Sequence, residues 1–180
     1  MDPLLRIASA GFVPMALAAF VHLGVPDLIG DKAMSVADVA RLIGPVVRED
    51  ALERTMRLLC GAGVLDVCGE DARSCTRYRL TAVGALLQTE GLPAQQPSLA
   101  CCIEHWMGAS ELRAWSALPE YILGGGGGAS AFVMANGGSV AAHVRGSRAY
   151  SEFVTCERAP AALLTYLAPK TSRVQSSRRS

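Results

Sequence analysis

No CxxC pair, no GxGxxG loop and no excess of either charge occurs in these 180 residues. The formal net charge of +1 gives no strong pull toward nucleic acid or acidic membranes. Charged residues make up only 18% of the chain against 51% hydrophobic, a balance that can bury a real core and excludes global disorder. Histidine is scarce: His22, His105 and His143 stand alone. Cys101 and His105 would share a helix face, but two ligands do not close a zinc site. No nucleophile–base–acid set can be assembled, so no catalytic, cofactor-binding or metal-ligating residue is assigned. The six cysteines (Cys60, Cys68, Cys75, Cys101, Cys102 and Cys156) are even in number, as in a disulfide framework. Their spacing argues otherwise. Cys101 and Cys102 are adjacent and Cys60 lies in an apolar helical pattern, which points to core thiols in a reducing compartment.

What is present begins with an apolar N-terminus. Between residues 7 and 25 the polar side chains are Ser9 and His22, and Arg6 precedes the run. A targeting segment or short membrane span has this composition. Gly11 and Pro14 interrupt it, however, and Pro26-Asp27 ends it. A helix apolar on all sides is also what two protein surfaces bury between them, and that is the reading adopted.

Further along, the period is helical. Residues 3–23 read as one or two helices, and Asp27-Leu28-Ile29 as a short turn of helix. Ser35 is a good N-cap with Asp38 three residues later, followed by Val36, Val39, Ala40 and Ile43 at helical spacing. Gly44-Pro45 stops that helix. A second runs from Glu49 to about Ala62, with Leu52, Met56 and Leu59 on its apolar side and Glu49, Asp50 and Glu53 in its first turns. The period then changes. Residues 64–67 and 76–80 read as two strands, with Tyr78 and Leu80 on one face and Arg77 and Arg79 on the other. Thr81 caps a helix carrying Val83, Leu86 and Leu87. The expected fold is therefore mainly α: a winged helix-turn-helix with a small two-stranded β-wing, plus a helical extension. The extension holds one helix around Leu99, Ile103, Trp106 and Met107 and a long pattern of Leu112, Trp115, Leu118 and Ile122. We place the winged-helix domain at 1–95, the extension at 96–168 and a disordered Ser/Arg-rich tail at 169–180.

A winged helix suggests DNA first. Arg48, Arg54 and Arg57 on the candidate recognition helix are opposed by Glu49, Asp50 and Glu53. Arg73, Arg77 and Arg79 on the wing are opposed by Glu70 and Asp71. That is closer to a solvated face than to a basic footprint. The five glycines at 124–128 follow a helix and lack a Lys-Ser/Thr, so they read as a flexible spacer and not as a phosphate loop. Trp106, Met107, Trp115, Phe132 and Met134 could fill a helical core or line an aromatic pocket.

The order of these pieces resembles the N-terminal region of plant- and bacterial-type O-methyltransferases, such as the caffeic acid, flavonoid and hydroxyindole enzymes. The resemblance rests on Met15-Ala16-Leu17 through Leu23-Gly24-Val25-Pro26-Asp27-Leu28-Ile29, and on Ser35-Val36-Ala37-Asp38-Val39-Ala40-Arg41-Leu42-Ile43-Gly44. It continues in Leu52-Glu53-Arg54-Thr55-Met56-Arg57-Leu58-Leu59 with Gly63-Val64-Leu65, and in Tyr78-Arg79-Leu80-Thr81 with Gly84 and Leu87. Trp115 with Leu118, then Gly124, Phe132, Gly137, Tyr150 and Phe153, extends it to about residue 155. It implies a dimerisation domain whose winged helix does not bind DNA and whose N-terminal helix packs against a partner subunit. The partner would be a second copy or a full-length paralogue. It further implies a small phenolic-type hydroxyl substrate, with Trp115, Phe132 and Met134 as candidate substrate-wall residues. The family continues into a Rossmann-like domain with an S-adenosylmethionine loop and a histidine base. No strand followed by GxG occurs in this chain, so it is expected to be truncated before that domain, with no cofactor of its own and no activity alone. A cytoplasmic location, no nucleic acid and no membrane complete the expectation. The alternative is a winged-helix transcription regulator.

Overall fold

The computed structural model describes residues 2–70, 75–92 and 98–144. The apolar N-terminus forms two helices, α1 (Pro3–Ala8) and α2 (Phe12–His22), followed by the short α3 (Val25–Ile29). Gly24 joins α2 to α3 in the left-handed region, at φ 67°, a conformation that glycine adopts without a Cβ penalty. The helix of α3 starts at Val25-Pro26, ahead of the expected Asp27, because proline is suited to a first turn.

Helix α4 (Val36–Ile43) begins as its sequence dictates. The Asp38 backbone N–H donates to Ser35 Oγ (3.1 Å), and Ser35 Oγ donates to the Asp38 carboxylate (2.7 Å). Helix α5 (Glu49–Gly61) buries Leu52, Met56 and Leu59, the predicted stripe. It ends in a paired reverse turn: Gly63 N–H donates to the Cys60 carbonyl, and Val64 N–H to that of Leu59.

The wing has three strands where the sequence suggested two. Strands β2 (Leu65–Glu70) and β3 (Thr76–Leu80) pair antiparallel, and β1 (Met34–Ser35) joins the other edge of β3, giving the order β1-β3-β2. Met34 faces Tyr78, and the Arg77 guanidinium donates to the Ala33 carbonyl across the same edge (2.9 Å). A register shift between Val67 and Glu70 bends β2, which extends three residues beyond the expected end at Val67.

Behind the wing, α6 (Ala82–Ala85) is capped by Thr81. The later segment contains α7 (Ala100–Trp106), α8 (Ala109–Ser116), α9 (Leu118–Ile122), α10 (Ala131–Asn136) and α11 (Val140–Val144). The long pattern expected after Ser110 is split in two at Ala117, with Pro119 taken into the first turn of α9. The expected tail at 169–180 lies outside the described residues.

One core joins α2 to α5, the sheet and α7. Phe20 of α2, Val25 and Ile29 of α3, Val39 of α4, Met56 and Leu59 of α5, Leu65 and Tyr78 of the sheet, Leu87, and Ala100 of α7 are all buried in it. Asp27 adds a polar tie across the chain. Its carboxylate accepts from the Thr89 N–H (2.7 Å), the Thr89 hydroxyl (2.8 Å) and the Glu90 N–H (3.1 Å).

Candidate functional site

The first two helices present what the core does not use. Helix α1 has no buried residue, and α2 buries only Phe20 and Val21, both near its C-terminal end. Leu4, Leu5, Ile7 and Phe12 remain 62–71% exposed. Single exposed apolar side chains are ordinary, but four of them within nine residues form a patch of the kind that marks an association surface.

Beside the far end of α2 lies an open apolar groove of about 500 Å³. It is lined by Ala19 of α2 and Leu23 just past it, by Ile43 at the end of α4, by Val46 and Val47 of the loop that follows, and by Leu52 of α5. Gly44-Pro45 stops α4 and turns the chain outward, which leaves Val46 91% exposed at the rim. Nothing in the local sequence announces this groove. Residues 46–48 read simply as a connecting loop.

The charged face of the helix-turn-helix is internally paired. Arg48 and Arg54 both meet Asp50 (2.9 and 3.2 Å), Arg57 meets Glu53 (2.7 Å), and on the wing Arg79 approaches Asp66 (3.7 Å). Each pair is exposed and weak as a source of stability. Together they offset much of the positive field of these arginines. The Asp38 carboxyl and the Cys60 thiol depart from their ordinary values. The Ser35 hydroxyl, and after it Arg41, holds the Asp38 carboxyl below its usual 3.8. Burial pushes the Cys60 thiol up, with Asp66 and Cys68 adding negative charge nearby. Among the described residues no group of three histidine, cysteine or acidic side chains could hold a metal ion.

The three candidate wall residues fall on the paired helices α8 and α10 in different settings. Trp115 is 67% exposed in the last turn of α8, Phe132 is buried, and Met134 is half-buried. Asn136 clips the two helices together. Its amide donates to the Ser110 and Phe132 carbonyls (both 3.1 Å), and its Oδ1 accepts from Arg113 (3.0 Å). Met134 packs over the glycine run, which forms a 3-10 turn (Gly125–Gly128) where a loose spacer was expected. A Cβ on Gly126 would come within 2.6 Å of the Met134 sulfur. The thioether therefore packs directly against the Gly126 backbone. The sheet is small and antiparallel, with no strand–glycine loop–helix unit among the described residues. These residues do not fit S-adenosylmethionine, and no chemical step is assigned to them.

A winged-helix-like fold with a neutralised reading face and a bare apolar helix pair defines a protein-association module. Comparison with known proteins points the same way. Residues 5–90 match the O-methyltransferase dimerisation domain. It is 33% identical over 142 residues to nicotinate N-methyltransferase 1 of Oryza sativa subsp. japonica, covering 75% of this chain and 38% of the relative. Among solved structures, mitomycin 7-O-methyltransferase superposes with a TM-score of 0.67 at 25% identity, over 87% of this chain and 42% of that one. Human N-acetylserotonin methyltransferase, solved with S-adenosylmethionine, shares the fold with a TM-score of 0.68 at 20% identity, over 87% of this chain and 43% of its own. The chain thus spans well under half the length of these relatives.

Proposed function

We propose that this chain is the dimerisation half of a small-molecule methyltransferase that uses S-adenosylmethionine held elsewhere. The observation that carries this reading is the bare apolar surface of α1 and α2, in a domain whose family associates in pairs. Removing such a surface from water twice over, once on each copy, favours the dimer. The acceptor is a small hydroxyl compound, and Trp115, Phe132 and Met134 contribute to the wall against which it lies. The relatives' names span oxygen and nitrogen acceptors, and the hydroxyl assignment follows the resemblance of the second half of the sequence. Pairing is with a second copy; a full-length paralogue with the same surface is the other candidate. The protein acts in the cytoplasm, in keeping with Cys60 packed half-buried against the core as an apolar side chain.

Sedimentation velocity on the full chain tests the reading. A dimer at about 10 µM is expected; a monomer up to about 100 µM refutes it, since a standard-size specific interface holds well below that. The transcription-regulator alternative is opposed by the paired arginines of α5. A salt-sensitive mobility shift of duplex DNA would restore it.

A further inference from the structure

We infer that Ser9 is a phosphorylation site for an arginine-directed serine/threonine kinase, and that phosphate there unfolds α1. The consequence for association rests on the dimerisation reading above; the site itself does not.

Sequence and structure carry it together. A kinase cleft of this class takes an arginine three residues before the acceptor on its acidic wall. It takes apolar side chains five residues before and four after the acceptor in two pockets. Leu4, Arg6, Ser9 and Val13 stand at those four positions. The other Arg-x-x-Ser/Thr spacings of the chain end at Thr76, Ser116, Ser151 and Ser176, and none has an apolar side chain five residues before the acceptor. Kinases bind such segments extended, so the local fold must open, and here it opens at little cost. Helix α1 is six residues long with no buried side chain, too short to be stable by itself. The first two residues of α2 can unwind with it. Pro14 is suited to start the helix in their place, and Phe20 and Val21 keep the rest of α2 in the core. Ser9 lies half-buried at the junction, as the C-cap of α1, and its hydroxyl donates to the Leu5 carbonyl (2.7 Å). In the reaction the Ser9 oxygen bonds to the γ-phosphorus of ATP, the bond from that phosphorus to ADP breaks, and the hydroxyl proton passes to the kinase's base. The modified Ser9 has lost the proton it donated to Leu5. It also sets a charge of about −2 against the carbonyl end of α1, where the helix dipole is already negative. Arg6, one turn back, offsets one of these charges at most. The same phosphate stands among Leu4, Leu5, Ile7 and Phe12, the exposed apolar side chains offered for association.

The test treats the full chain with magnesium-ATP and the catalytic domain of a calcium/calmodulin-dependent kinase, and maps phosphate by mass spectrometry. Incorporation at Ser9 is expected, and Arg6→Gln should slow it ~10-fold or more, as loss of a charge-assisted contact does. Ser116 is the internal control. Its arginine has the same spacing but lies within α8, and Glu111 and Glu120 fill the two apolar positions, so it should stay unmodified. Phosphate missing from Ser9, or entering Ser116 first, overturns the assignment. Hydrogen exchange in the phosphorylated chain should rise over residues 3–13 and stay level in α5; exchange unchanged over 3–13 overturns the unfolding of α1. In sedimentation velocity the dimer dissociation constant should rise ~30-fold or more, as when an unpaired charge is forced into an interface. A constant unchanged by phosphate on Ser9 overturns the link to association. A chain that is monomeric before phosphorylation refutes the dimerisation reading and leaves the site standing on the first two results.

Discussion

Replacing Gly84 with alanine sets a helix preference against a backbone collision, and the collision is the larger. Gly84 lies in α6 with ordinary helical backbone, so alanine there is intrinsically favoured by about 1 kcal/mol. Its Cα, however, lies under the turn that leads into the wing. A Cβ at this position would stand 2.1 Å from the Val64 carbonyl oxygen and 3.2 Å from both Val64 C and Leu80 Cδ2. An ordinary contact needs more than another ångström, and the neighbour is backbone, which cannot rotate away. The same Val64 carbonyl accepts from the Thr81 N–H and Thr81 hydroxyl (both 3.1 Å), and the hydroxyl also reaches the Gly63 carbonyl (2.7 Å). Moving α6 outward therefore strains the packing by about 1–3 kcal/mol and weakens hydrogen bonds worth about 1 kcal/mol each. After the helix gain is subtracted, a net loss of about 2–4 kcal/mol remains. For a chain of this size that is a fall in Tm of about 5–15 °C. Gly61→Ala is the matched control: it too is helical, nothing lies within 4 Å of its Cβ, and it should raise Tm slightly. Thermal unfolding followed by circular dichroism decides. If Gly84→Ala melts at or above the parent, α6 does not close on the Val64 carbonyl and the reasoning is wrong.

Two further outcomes follow from the hydrogen-bond pattern. The Asp38 carboxyl is held below its ordinary value by the Ser35 hydroxyl and by Arg41. A depressed carboxyl contributes stability that is complete above its unfolded pKa and is lost as pH falls through the folded one. The Tm gap between the parent and Asp38→Asn should thus be largest near neutrality and close below pH 3.8; a gap unchanged down to about pH 2 would dissociate the cap from that carboxyl. Asn136→Ala removes the two hydrogen bonds that clip α8 to α10, at a cost of about 1–3 kcal/mol. Hydrogen exchange should rise in α8 and α10 and stay level in α4 and α5; a uniform rise would mean that the clip supports the whole fold.

The parts legible in the sequence are those with local causes. Ser35 and Asp38 announce a cap because the partners lie three residues apart. Leu52, Met56 and Leu59 announce a buried stripe because a helix repeats every 3.6 residues. The parts that were not legible depend on distant partners. Strand β1 has two residues, too few for any period, and exists because Tyr78 and Arg77 lie across from it. Leu112, Trp115, Leu118 and Ile122 keep helical spacing straight through the break at Ala117. Glycine composition suggests a spacer, whereas the turn that forms is shaped by Met134, which lies on the next helix. The exposed apolar helices α1 and α2 were visible as an apolar run. The groove was not, because it is assembled from the end of α2, a loop and the start of α5.

The apolar run itself admits two solvents, lipid and protein, and we propose that protein is the one it meets. Residues Pro3–His22 have a mean hydropathy of 1.9 with 11% buried, long and apolar enough by composition to cross a membrane. Crossing requires about 20 apolar residues to cover roughly 30 Å of hydrocarbon. The last part of this run is already committed, since Phe20 and Val21 are buried against the domain's own core. What remains, residues 3–19, spans about 25 Å even as one straight helix. It is also broken into two helices by a turn between Ala8 and Phe12. To span a bilayer, the chain would have to withdraw Phe20 and Val21 and open the core at α3 and α5. A protein partner asks for no such rearrangement. It can take Leu4, Leu5, Ile7 and Phe12 where they stand, and the domain remains folded as it is.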